Sequence, residues 1–288
     1  MPDFIIRPAD AEQFAVAIDW AAAEGWNPGL DDLAAFHAGD PEGFLLGWLD
    51  GEPIASISVV RYGATFGFLG FYIVRPDKRG QGYGWAIWQA GMAKLAGRTV
   101  GLDGVVAQQD NYRKSGFVLA GTNMRYAGKP TVGGLSSDTD VSLIDPAEMP
   151  AEPVLAYDRG FFAVPRDRFT RAWVLTARQN VRRISRIALS QGHVVGYGTV
   201  RACQTGYKVG PLFADTPVVA ERLLVALCQT LPASAEIALD TPQSHPAAVD
   251  LAVRAGLAPV FETARMYAGP APTLSMDRTF GITTFELG

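Results

Sequence analysis

The sequence predicts an α/β chain built from two copies of one fold. Strand-like and helix-like segments alternate along it, and a glycine-rich turn joins one strand to the helix that follows. Four features also recur in the same order in both halves. Val60-Arg61 is matched by Val200-Arg201, Val74-Arg75-Pro76 by Val209-Gly210-Pro211, Gly116-Phe117 by Gly256-Leu257, and "NMRYAG" (123–128) by "ARMYAG" (264–269). The spacing is alike too, 42 residues from Val74 to Gly116 and 47 from Val209 to Gly256. A length of 288 residues suits two domains of ordinary size.

The elements follow in order. Residues 4–7 alternate as a short strand. From Asp10 to Glu24, Phe14, Ile18 and Ala21–Ala22 fall at helical spacing, until Gly25, Pro28 and Gly29 break the pattern. A second helix is expected over Leu30–Phe36. Two strands, "GFLLGWL" and "PIASISVVRY", flank a turn at Asp50–Gly51, and another runs from Thr65 to Val74. After the glycine-rich turn, Trp85, Trp88, Met92 and Leu95 share a helical face that Gly97 stops. "TVGLDGVV" reads as a strand, and "NYRKSGFVLAGTNMRYAG" closes the first half with a helix end and a last strand. Gly133–Gly134, Ser136–Ser137 and nearby prolines then mark a linker. The expected division is 1–128, a linker at 129–150, and 151–288.

A formal charge of −4 argues against non-specific nucleic-acid binding and is compatible with a cationic substrate. Cys203 and Cys228 fit neither a metal spacing nor a disulfide framework, which points to a reducing cytoplasm. His37, His193 and His245 share no spacing with other ligands, so no metal is expected. No leader segment is read at the N-terminus, and no apolar run approaches the ~20 residues of a membrane helix.

The chemistry concentrates in "FYIVRPDKRGQGYGWAIW". A strand ends at proline, and Arg79-Gly80-Gln81-Gly82-Tyr83-Gly84 opens a helix. Glycines let backbone approach a ligand closely, and the first amides of a helix form an anion site. A pyrophosphate suits it, and Arg79 adds charge or shapes the turn. The dinucleotide fingerprint fails in both registers, since its third glycine would be Trp85 or Ile87, and the Gly-Lys-Ser/Thr of a P-loop is absent.

The remaining pattern, R-x-x-G-x-G, resembles the coenzyme A loop of the GNAT acetyltransferases. Val74-x-Pro76 resembles that family's V-x-P, and "YRKSGF" (112–117) its Y-x-K-x-G-F segment. The resemblance covers roughly residues 4–128 and implies two GNAT-like domains, each a mixed, mostly antiparallel sheet flanked by helices, the second degenerate. It implies that Tyr72, Ile73 and Val74 pair with the pantetheine arm of acetyl-CoA, while the amides of Gly80 to Gly84 hold the pyrophosphate. It implies direct attack by an acceptor amine, on a small molecule or a protein, with no covalent enzyme intermediate. Tyr112 matches the tyrosine that protonates the leaving thiolate; packing or lining the cofactor tunnel is the alternative. The family's Asn about seven residues before that tyrosine is missing, so the connecting helix is expected to be short or irregular.

Other roles stay open. Glu24, Asp31 and Asp32 lie in the acceptor-binding segment, with surface charge the plain alternative. Trp26 and Asn27 in "GWNPG" line the acceptor site or anchor the loop. In the second half "LFADTPVVAERLL" lacks the arginine and glycines, and Asp215 would repel phosphate, so no coenzyme A is expected there. Arg201, Tyr207, Tyr157 and Asp158 face the cleft between halves or form surface salt bridges. Rival activities are transfer of a longer acyl group and a non-catalytic acyl-CoA-binding module. The oligomeric state is not readable.

Overall fold

The computed structural model describes residues 3–132, 140–176 and 182–288; the Gly133–Gly134 and Ser136–Ser137 portion of the expected linker lies outside them. The first half runs β1 (Phe4–Pro8), α1 (Ala11–Ala23), α2 (Asp32–Gly39), β2 (Phe44–Leu49), β3 (Glu52–Tyr62), β4 (Phe66–Val74), α3 (Tyr83–Lys94), β5 (Thr99–Val105), α4 (Gln109–Lys114) and β6 (Val118–Gly128). The second runs β7 (Ser142–Ile144), α5 (Ala151–Asp158), α6 (Asp167–Thr170), β8 (Arg183–Ser190), β9 (His193–Ala202), β10 (Tyr207–Ala214), α7 (Pro217–Cys228), β11 (Ile237–Pro242), α8 (Pro246–Arg254), β12 (Ala258–Ala268) and β13 (Thr279–Gly281). The chain is the mixed, mostly antiparallel α/β structure anticipated. Local signals explain the boundaries: Asp10 caps α1 with a reciprocal bond to Gln13, a capping box. One expected face is revised. Trp88 and Leu95 of the α3 segment are buried, but Trp85, in the first turn, is 58% exposed.

Among the described residues the strands form one sheet, ordered β1-β2-β3-β4-β5-β12-β6-β11-β10-β9-β8-β7, with β13 attached to β10. The order shows an exchange. β6, expected to close the first half, pairs with β11 and β12 of the second. β12 in turn lies between β5 and β6. Each exchanged strand carries an arginine directly opposite an aspartate of the other half. Arg125 binds Asp240 at 2.7 and 2.8 Å, and Arg265 binds Asp103 at 2.8 and 2.6 Å. Part of the expected linker is also structured, since β7 pairs with β8.

The core crosses the seam as well. Phe14, Phe36 and Phe71 share a buried cluster with Phe169, Trp173 and Phe213. Phe36 stacks on Trp173 at 5.7 Å, and the Arg183 and Arg201 guanidinium groups lie over that indole at 4.0 and 4.7 Å. Asp32 answers both arginines, at 3.0 and 3.1 Å, and accepts the Gly29 amide at 2.9 Å. The surface-charge alternative for Asp32, and the surface salt bridge for Arg201, are thereby corrected: both are buried because each neutralises the other across the seam. Asp158 is likewise buried, paired with Arg166 at 2.9 Å. Replacing Asp32 by alanine leaves two buried cations short of a counter-charge. The expected loss is about 3–5 kcal/mol, read from the urea unfolding midpoint.

Candidate active site

The site begins with a strand that leaves its neighbour. β4 pairs in parallel with β5 only over Phe66–Leu69 and Thr99–Leu102. On its other side β4 stays paired with β3, but the register shifts so that Phe71 and Tyr72 together face Ile57. Phe71 takes φ 45°, an uncommon conformation for a non-glycine residue. Its ring, packed edge-on against Phe14 and Phe36, and its carbonyl, bonded by Ser56 Oγ at 2.8 Å, hold it there. The bulge turns the strand outward, and from Gly70 to Val74 the β5-facing edge has no strand partner among the described residues.

The glycine turn lies at the far end of this fork. Gly80 and Gly82 have φ of 75° and 89°, which L side chains rarely adopt. Gly84 is needed for a different reason: a Cβ there would come 3.0 Å from the Tyr72 hydroxyl and 3.2 Å from Val74. Gly82 is the N-cap of α3 and supplies no side-chain acceptor, so the first amides of the helix carry no cap from it. Arg79 shapes the turn, donating to the Val74 carbonyl at 2.9 Å and pairing with Glu24. Gln81 donates to the Asp77 carbonyl at 3.2 Å, and Tyr83 tilts onto Phe4. Asp77 is itself held by Arg75 at 2.8 and 3.0 Å, which keeps its carboxyl below the usual range.

Fork and turn open on one cavity of about 540 Å³. Leu69 to Val74, Arg79, Gly80, Gly82 and Gly84 form one wall, with Trp85 at the loop end. Tyr112 forms part of another. Its ring stacks on Trp88 at 5.7 Å and lies so close to Gly104 that a Cβ there would meet it at 2.4 Å. It is 8% exposed, and its hydroxyl makes no hydrogen bond among the described residues. Burial, with Tyr72 adding, pushes the phenol above its ordinary value, so it stays protonated. The helix bearing it is short, six residues after a single 3₁₀ turn.

Trp26 and Asn27 part company. Trp26 lines the cavity, its carbonyl accepting from Lys208 at 2.8 Å and Arg125 at 3.2 Å. Asn27 is corrected: it lies off the cavity wall, with both ends of its amide bonded to the Thr205 backbone at 2.7 and 3.0 Å. It is a clamp between halves, reinforced by the Leu30 amide bonded to the Ala202 carbonyl. Asp31 and Asp32 belong to the same seam and not to the cavity. Residues for which the sequence held no expectation complete the far wall: Asp103, Arg125, Phe261, Thr263, Phe285 and Glu286. One signal for two of them was present: Leu102-Asp103 and Leu239-Asp240 recur at matching places, each aspartate facing an arginine. Among the described residues no group of metal-ligating side chains converges.

The second half repeats the fork and fills it. β10 pairs in parallel with β11 only over Tyr207–Val209, after which β13 pairs with Leu212 and Phe213 and the Ile282 amide bonds to the Asp240 carbonyl. The helix that follows, α7, is capped by its own Thr216 side chain and carries a proline in its first turn. Asp215 is bound by Tyr157 at 2.8 Å and Arg278 at 2.6 Å.

A parted strand pair above a helix whose N-cap is a bare glycine, with its duplicate filled from within, describes two related α/β units in tandem. Comparison with known proteins agrees. Residues 12–117 match the Acetyltransferase (GNAT) family and residues 154–281 the Acetyltransferase (GNAT) domain. The chain is 30% identical over 282 residues to holothin acyltransferase from Pseudoalteromonas sp. (strain SANK 73390), spanning 98% of this chain and 94% of that one. In fold it is similar to a putative acetyltransferase from Pyrococcus horikoshii (TM-score 0.79, 22% identity, 99% and 96% of the two chains). It is also similar to a tandem GNAT protein from the clavulanic acid biosynthesis pathway (TM-score 0.65, 16% identity, 93% and 100%). The chain belongs to the GNAT acetyltransferase family. It is an acyltransferase enzyme with two GNAT domains in tandem.

Proposed function

We propose that the protein transfers an acetyl group from acetyl-CoA to a primary amine on a small molecule. The observation that carries this reading is the fork at Gly70–Val74 leading to the uncapped amides of α3. Backbone of Tyr72, Ile73 and Val74 offers strand-like bonds to an extended pantetheine arm. The Gly80–Gly84 amides receive the diphosphate, with Arg79 stiffening the turn. The acceptor attacks the thioester directly once its nitrogen is neutral, since an ammonium of pKa ~10 has no lone pair. Tyr112 keeps its proton and donates it toward the leaving sulfur. Residues 151–288 bind no coenzyme A in this reading, since β13 and Thr216 already satisfy the groups that would receive it. The name of the Pseudoalteromonas relative makes holothin a reasonable first acceptor to test. Both cysteines are buried and unbridged, in keeping with a reducing cytoplasm.

The test follows thiol release from acetyl-CoA with holothin, benzylamine, spermidine and a lysine peptide. Release with at least one small amine is expected, and a longer acyl-CoA substrate run in parallel reports chain-length preference. Coenzyme A binding without release for any amine would favour a binding module instead. Tyr112→Phe is expected to lower kcat about 10²-fold while leaving the Kd for acetyl-CoA within about twofold.

A further inference from the structure

Three carboxylates lie on the cavity wall, and two of them are already engaged. Glu24 pairs with Arg79. Asp103 accepts Asn123 at 2.8 Å and Arg265 at 2.8 and 2.6 Å. Glu286 is 5% exposed, yet among the described residues its carboxylate forms no hydrogen bond and no ion pair. A carboxylate on a cavity wall with no hydrogen-bonding partner of its own is open to a ligand.

Its position is tightly fixed. The Leu287 amide bonds to Thr284 Oγ1 at 2.9 Å, Tyr62 Oη donates to the Leu287 carbonyl at 3.1 Å, and Arg166 donates to the Gly288 carbonyl at 3.0 Å. The backbone of Glu286 lies against Gly70, where an added Cβ would come 2.2 Å from the Glu286 carbonyl oxygen. Gly70 is where β4 leaves β5. An arm entering at Val74 and running up the fork therefore ends beside Glu286. Trp26, Phe261 and Phe285 give the same cavity aromatic surface, and the Thr263 hydroxyl on its lining is buried with no partner among the described residues.

We propose that Glu286 is the catalytic carboxylate that binds the acceptor nitrogen and takes its proton, so that the second half supplies the acceptor side of the active site. This rests on the acyl-transfer reading above. The acceptor is a compact amine with apolar flanks. Its ammonium gives one proton to Glu286, which releases it to solvent. The neutral nitrogen attacks the thioester carbonyl, the C–N bond forms and the C–S bond breaks. The second proton lost by nitrogen balances the one gained by the thiolate, giving amide, thiol and one proton. The charged groups facing Glu286 are Arg125, Arg201 and Lys208, with Asp240 and Asp32 behind them. Burial, with Arg125 adding, draws the Lys208 ammonium below its ordinary value, while Glu286 and Asp240 oppose that shift.

The experiment compares the full-length wild type with Glu286→Gln and Glu286→Asp, using acetyl-CoA and the amine from the panel above that the wild type turns over fastest. Glu286→Gln is expected to lower kcat/KM at pH 7 by about 10²- to 10³-fold, with the Kd for acetyl-CoA within about twofold. Its rate should climb about tenfold per pH unit toward the pKa of the acceptor, because the solution then supplies the neutral amine. Glu286→Asp should fall between the two. A Glu286→Gln enzyme with wild-type kcat/KM and pH profile overturns the assignment. So does one whose acetyl-CoA affinity falls in step with its turnover. A wild type that binds acetyl-CoA and acetylates none of the amines defeats the parent reading instead.

Discussion

Replacing Gly82 by aspartate is expected to raise the Kd for acetyl-CoA by at least about 10²-fold while leaving the protein folded. Space is not the obstacle, since a Cβ at Gly82 meets nothing within 4 Å. The obstacle is chemical. An aspartate carboxylate at the start of α3 would set a negative charge against a diphosphate aimed at the amides that the glycine leaves available. Aspartate also tolerates left-handed backbone better than most side chains. Losing two charge-assisted bonds at about 1.5–3 kcal/mol each corresponds to roughly 10²- to 10⁴-fold in affinity. Gly82→Ala separates the causes. It adds only backbone strain, about 1–2 kcal/mol of stability, and is expected to weaken binding far less. Calorimetric titration with a thermal melt of each variant decides the matter. A Gly82→Asp protein that binds acetyl-CoA normally would show that these amides do not hold the phosphates.

The glycine loop was legible because its chemistry demands contiguous residues: the positive φ at Gly80 and Gly82 and the close approach at Gly84 write themselves into six successive positions. The repeat was legible for a similar reason, since a duplicated fold repeats its turn and strand signals in order. The exchange of β6 and β12 was not. Both segments read as strands whichever half they close, because period-two alternation specifies a face and not a partner. Asp32, Arg183 and Arg201 were hidden by a sound default, that charges are solvated, which fails only because the seam brings them together. Trp85 fitted the helical period, but the helix starts at Tyr83, too late for it to reach the core. Glu286 had no signal at all. It follows a three-residue strand with no period to read, and only the path of residues 282–288 across the fork carries it to Gly70.

Residues 1–132 and 140–288, expressed separately, are each expected to fail to fold as a monomer, and to recover acetyl-CoA binding when expressed together. In the intact sheet both strand partners of β6 belong to the second half, and both partners of β12 belong to the first. Separation therefore strands each half's terminal strand and bares the edge of β5 or β11, a template for aggregation. It also leaves Arg125 and Arg265 without Asp240 and Asp103, and opens the shared cluster around Phe36 and Trp173. One rescue is conceivable. β6 carries the same Tyr-Ala-Gly ending as β12, so in isolation it can fall back beside β5 and offer Arg125 to Asp103. A folded, monomeric 1–132 fragment by size exclusion and near-ultraviolet circular dichroism would show that this closure competes, and that the exchange is not obligatory. Such a fragment would keep the glycine loop and the fork, so it should bind acetyl-CoA. It would lack Phe261, Thr263, Phe285 and Glu286, so it should acetylate nothing. Binding without turnover in that fragment would locate the cofactor in the first half and the acceptor chemistry in the second.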